Sequence, residues 1–207
     1  MPLVFGLCAA YALYCLVTNP AGPITTPDSF HYLNMTPIVP LGYPVFLKLT
    51  GASGATVIQP VLFSAALALL GREVVHTTRR TWLALGVVAG CMVVPQIRDY
   101  HASILSESLF LTLLVVFLAF SVRFGYYPTW RLMVVISVTV GVAILVRRTG
   151  FAFVPIMLVM VLLNRHHLRT DFARPATRGN SLDMPRLGTR LHLLFVAAIA
   201  PCAVIVG

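Results

Sequence analysis

The 207 residues are 58% hydrophobic and only 10% charged, with a mean hydropathy of +0.90. Soluble domains carry about a quarter charged residues, and disordered chains carry few apolar ones, so both classes are excluded. Fifteen Lys and Arg against six Asp and Glu give a net charge of +9, which has to be read against membrane topology before nucleic acid.

Apolar runs lie at about 2–18, 55–71, 82–94, 105–122, 130–146, 151–163 and 191–207. Because roughly 20 apolar residues cross a bilayer as a helix, they predict an all-α polytopic transmembrane bundle of about seven spans, one domain over 1–207. The runs at 82–94 and 151–163 are short and must borrow flanking residues or tilt. No basic residue precedes the first run, which argues against a cleaved signal. The last run reaches Gly207 without a polar tail, the pattern expected of the N-terminal part of a longer protein. Cys8, Cys15, Cys91 and Cys202 all sit in apolar runs with no CxxC pair, so neither a disulfide framework nor a zinc site is indicated.

Alternating spans divide the basic residues unevenly. One side receives eleven: Arg72, Arg79, Arg80, Arg123, Arg131, Arg165, Arg169, Arg174, Arg178, Arg186 and Arg190. The other receives four, Lys48, Arg98, Arg147 and Arg148. By the positive-inside rule the eleven face the cytoplasm, with the N-terminus, in a plasma (inner) membrane. The charge is then explained by topology and membrane lipids, and no nucleic-acid partner is expected. The stretch 164–190 reads as an irregular, Arg-rich cytoplasmic loop near anionic head groups.

The outer side is charge-poor, yet each of its loops holds ionisable groups. Residues 19–54 carry six prolines and four glycines, one acid (Asp28), then His31 and Tyr32. The later piece from Tyr43 to Leu49 is amphipathic enough for a short interfacial helix. The second loop places Arg98, Asp99 and His101 at the surface, with Glu107 one turn into the next span. The third is Arg147-Arg148-Thr149-Gly150, two arginines set against the topological trend. Each residue alone reads as structural: Asp28 as a turn or helix cap, Glu107 as a first-turn acid, the arginines as an ion pair or as snorkelling side chains. Three charged loops on one face favour a site. A loop carboxylate can act as general base, and arginines at a helix end can hold a phosphate. That combination suits group transfer from a lipid phosphate, and it also fits a lipid-phosphate phosphatase or an anion transporter.

The order of motifs is familiar. Pro27-Asp28-Ser29 with Tyr32, then Gly42-Tyr43-Pro44 with Phe46-Leu47, resembles the polytopic GT-C glycosyltransferases. The nearest likeness is to bacterial protein O-mannosyltransferases and lipid A aminoarabinose transferases. Leu105-Ser106-Glu107-Ser108-Leu109-Phe110 and Arg148-Thr149-Gly150 with Pro155 resemble later segments of the same proteins. The resemblance implies inverting transfer of a sugar from a polyprenyl-phosphate donor to a protein, lipid or glycan acceptor on the outer face. It makes 19–54 the catalytic loop and matches Asp28 to the catalytic acid's position. Arg147 or Arg148 would hold the departing phosphate. His31, Tyr32, Tyr43, Arg98, Asp99, His101 and Glu107 would contact substrate. Ser29 follows Asp28 where relatives carry a second acid, so the cofactor stays open, with a divalent metal as one option. Outside the resemblance, a transporter or lipid flippase and an inactive membrane scaffold are the alternatives.

Overall fold

The computed structural model describes residues 1–19 and 22–173. The apolar run 191–207 and the stretch 174–190 lie outside the described residues, whose regular structure is all helical, with no strand. In chain order the helices are α1 (Pro2–Thr18), α2 (Ser29–Leu33), α3 (Gly42–Thr50), α4 (Ala52–Thr78), α5 (Thr81–Met92), α6 (Pro95–Ala102), α7 (Ser106–Tyr126), α8 (Trp130–Val146) and α9 (Phe153–Ala173). A 3-10 turn, Arg148–Ala152, joins α8 to α9.

Among the described residues two helices, α4 and α7, are long and apolar enough to cross a membrane, and α5 with α6 makes a third if the bent pair is one span. That stands against about seven expected. At 1.5 Å per residue, α4 is about 40 Å long and α7 about 32 Å, against a hydrocarbon layer of about 30 Å. Helices α1, α8 and the segment Arg148–Asn164 are apolar but shorter.

Three boundaries differ from the sequence expectation. Helix α4 runs past the apolar run to Thr78 and stops at Arg79, which is left-handed (φ 59°). The extension survives because buried Glu73 meets Arg123 of α7 at 3.5 Å, so an acid is tolerated inside the bundle. The segment 95–104, read as a surface loop, is mostly α6, bent 59° from α5. Pro95 causes the break by driving Val94 out of the helical region (ψ 109°). The expected loop at 164–190 begins as helix, since α9 continues to Ala173.

Helix α4 is the centre, packing most extensively on α7 and also on α1, α3, α5 and α6. One core, with Val4, Tyr11, Phe63, Leu67, Val88 and Val115, joins α1, α4, α5 and α7. A second, with Tyr43, Phe110, Phe117, Ile136, Val140 and Phe153, joins α3, α7, α8 and α9. Phe153 stacks on Phe117 (4.8 Å between centroids) and on Phe110 (5.5 Å).

Pro60 lies inside α4 and has no N–H, which frees the carbonyl of Thr56. Asn19, just past α1, donates its Nδ2 to that carbonyl at 3.3 Å. The end of α1 is thereby fixed to α4 at the end of the bundle where residues 22–54 lie. Ile24 extends the tie to the end of α6: its N–H donates to Ala102 (2.9 Å), and Ile104 N–H donates back (3.0 Å).

Two glycines allow the end of α8 to be enclosed. A Cβ on Gly42 would come within 2.7 Å of the Leu145 carbonyl oxygen, and one on Gly150 within 2.6 Å of the Ala143–Ile144 peptide. Both neighbours are backbone and cannot yield as a side chain would. Gly42→Ala and Gly150→Ala are expected to lose about 1–3 kcal/mol, the usual cost of overpacking. Gly141→Ala, with nothing within 4 Å, should leave stability unchanged or slightly raised. Thermal unfolding of the three variants in one detergent tests this; equal midpoints would refute the tight approach.

Candidate functional site

The three predicted outer segments meet at one end of the bundle, joined by a continuous polar chain. Tyr32 OH shares a hydrogen bond with Ser106 Oγ (3.0 Å), and Ser106 Oγ also reaches Glu107 Oε2 (3.5 Å). Glu107 Oε1 then lies 2.8 Å from Arg147 Nη1. From α2 through the first turn of α7 to the end of α8, four side chains span three loops.

The Glu107–Arg147 contact is close but off-axis. Nη1 is buried and no acceptor satisfies the alignment of a hydrogen bond to it, so charge rather than a directed N–H holds the pair. Both side chains keep some exposure. Nη1 itself is enclosed, so it is the exposed remainder of the Arg147 guanidinium that can meet a further oxygen.

Asp28 stands at the N-cap position of α2, yet its side chain makes no capping bond and is exposed. Buried Ser29 does that work. Thr26 N–H donates to Ser29 Oγ (2.8 Å), which itself donates to the Ile104 carbonyl (3.0 Å). The turn is thus fixed without Asp28, and its carboxylate faces outward. Burial pushes the Tyr32 hydroxyl above the ordinary phenol range, and Glu107 and Asp28 add to the shift. The Ser106 hydrogen bond and Arg147 oppose it. Tyr32 is a neutral donor set among all three charges.

Tyr43 is fully buried, receives a bond from Gln59 Nε2 (2.9 Å) and packs edge-on against Tyr32 at 5.0 Å. It supports the site from behind and is not open to a ligand. His31 pairs through Nδ1 with Thr36 Oγ1 (3.2 Å), half-buried. Arg148 is exposed and donates Nη2 to the Ile38 carbonyl (3.0 Å), tying the 3-10 turn to the α2–α3 connection.

The other predicted residues lie elsewhere. Arg98 is exposed and turns toward α1, donating to Tyr14 OH (3.4 Å) and the Thr18 carbonyl (3.5 Å). Asp99 is exposed beside it. His101 corrects the expectation of a surface residue: it is fully buried, with Nδ1 2.7 Å from Ser108 Oγ and its ring between Tyr11 and Phe63. The bend at Pro95 turns it into the bundle. Ser29, Gln59 and Ser106 were missed as site residues; Gln59 was legible as the one amide inside the second apolar run.

A cavity of about 400 Å³ opens beside the ion pair. Its floor includes Phe63 and Leu70 of α4. One wall is α5–α6 (Gly86, Gly90, Ile97) and the other is α7 (Phe110, Leu114), with Glu107 and Arg147 the only charged groups lining it among the described residues. Among the described residues no three His, Cys, Asp or Glu could share a metal ion. The donors at this end do not fit one, because Glu107 is committed to Arg147 and no second carboxylate stands beside Asp28.

Comparison of the chain with protein-family models, with curated proteins and with solved structures gives no match.

Asp28 and Ser29 separate capping from chemistry. Asp28→Ala should change stability by no more than about 0.5 kcal/mol, as for a surface side chain. Ser29→Ala, which strips the buried Ile104 carbonyl and the Thr26 N–H of a partner, should cost about 1–3 kcal/mol. Denaturation of both variants in detergent checks the order; a larger loss at Asp28 would restore it to a structural role.

Proposed function

We propose that the chain is the donor-binding part of a membrane glycosyltransferase of GT-C type. It would transfer a sugar from a polyprenyl-phosphate carrier to an acceptor hydroxyl at the outer membrane face. The observation that carries this reading is an exposed carboxylate, Asp28, with no ion-pair partner among the described residues, on the loop that Tyr32 ties to an Arg-bearing apolar cavity. The resemblance of the surrounding motifs adds to it. The apolar cleft suits a prenyl tail, Arg147 suits the phosphate, and the solvent-facing Asp28 suits the acceptor.

The chemistry follows from these positions. Asp28 takes the proton of the acceptor hydroxyl while that oxygen attacks the anomeric carbon. The bond from the anomeric carbon to the phosphate oxygen breaks on the opposite face, which inverts the configuration. Its electron pair stays on phosphate, where Arg147 meets the developing charge with donor capacity to spare. Tyr32, kept neutral, donates to sugar or phosphate oxygen. Arg148 acts as a positioning residue through Ile38 rather than as the clamp itself.

A second reading, transport or flipping of a lipid, draws support from the broken α5–α6 pair, since transporters build sites on interrupted helices. Chemistry separates the two: a flippase moves the donor without consuming it.

The full topology belongs to the same proposal: seven spans, N-terminus in the cytoplasm of the inner membrane, 19–54 outside. Single cysteines in a background lacking the native four test it with an impermeant thiol reagent. Leu49→Cys should label from outside and Arg80→Cys only after permeabilisation; the reverse pattern inverts the orientation.

Asp28→Asn keeps shape and removes basicity. Sugar transfer from a polyprenyl-phosphate donor should fall about 10²–10⁴-fold, with donor binding little changed. Arg147→Ala should cost roughly 10²-fold, about 3 kcal/mol of electrostatic stabilisation. Near-normal transfer by Asp28→Asn, at matched folded levels, would remove it as the base.

A further inference from the structure

The cation at the head of the cleft is already opposed. Arg147 Nη1 lies 2.8 Å from the Glu107 carboxylate, and among the described residues these two are the charged ones lining the cavity. Their opposite charges offset each other there. Arg148 is turned to the Ile38 carbonyl. The Arg147 side chain is 32% exposed, so its guanidinium can meet the first negative charge of an incoming head group. A second would find no cation of its own and would sit against Glu107. Like charges within a few ångströms strongly disfavour a common ionised state.

We propose that Glu107 is a specificity-determining residue: it makes the cleft select a single-tailed amphiphile whose head carries one negative charge, a phosphodiester, over the dianionic phosphomonoester of the same tail. This rests on the donor reading above and gives it a direction. A sugar phosphodiester carries one charge. When the bond to the anomeric carbon breaks, its electron pair remains on the phosphate oxygen, and the acceptor proton has gone to Asp28. The carrier therefore leaves as a monoester, whose second pKa of about 6 makes it close to a dianion at pH 8. Glu107 undergoes no reaction. It tolerates the donor and repels the spent carrier.

The probes are farnesyl methyl phosphate (one charge), farnesyl phosphate (two charges) and farnesol (none). Each is titrated against the full-length protein in neutral detergent at pH 8. The wild type should bind the diester about tenfold more tightly than the monoester. Glu107→Gln should tighten monoester binding about tenfold and leave the diester within about threefold, erasing the preference. Damage to the fold would weaken every probe, farnesol included, so a gain for the monoester cannot come from misfolding. Equal wild-type affinities for the two phosphates, or a monoester weakened by Glu107→Gln, would overturn the charge selection while leaving the donor site standing. If neither phosphate bound the wild type better than farnesol and Arg147→Gln changed nothing, the donor site would fail, and charge selection with it.

Discussion

Next to hydrocarbon, water is not there to satisfy a peptide group or a charge, so the protein must do it. That constraint organises the end of the bundle where the loops gather. The Thr56 carbonyl freed by Pro60 is met by Asn19, the Ile104 carbonyl by Ser29, the Ile38 carbonyl by Arg148, and the Arg147 cation by Glu107. Each bond joins segments distant in sequence. The proline-rich segment has little regular structure of its own, and it is held in place because its polar groups are shared with α4, α7 and the end of α8.

Much of this was legible before any coordinates. Low charge and long apolar runs predict helices in a membrane, and α1, α7 and α8 begin and end close to their runs. The approach of Glu107 to Arg147 was also readable, as two ionisable groups expected on one side of the bundle. The sequence was weaker where a boundary depends on a partner. Helix α4 outruns its apolar stretch because Glu73 finds Arg123, a contact between residues 50 apart. His101 looked like a surface residue because polarity was read without the bend at Pro95. Asp28 looked like a cap until Ser29 proved to hold the turn. Pairing across helices has no local signature, so the division of labour between Arg147 and Arg148 could not be read from two adjacent letters.

The two ends of the bundle use charge differently. At the end with the loops, the ion pair lies beside a cavity and leaves a donor undirected. At the far end, Glu73 and Arg123 clamp α4 to α7 across the most extensive helix contact in the fold, with His76 resting near Tyr127. The acid of that second pair is almost wholly enclosed. Similar residue types thus serve cohesion at one end and stand at an opening at the other.

Helices α5 and α7 both rest on α4 while making little contact with each other, and among the described residues no helix beyond α4 to α7 lines the gap between them. In the reading proposed above, the mouth of such a cleft lies on the flank of the bundle, and an amphiphile would enter it sideways out of the bilayer, by diffusion in two dimensions, without crossing water. Its occupancy would then follow the mole fraction of the amphiphile in the surrounding lipid rather than its concentration in solution. Dilution with inert lipid would empty the cleft at constant total ligand, while dilution with buffer would not.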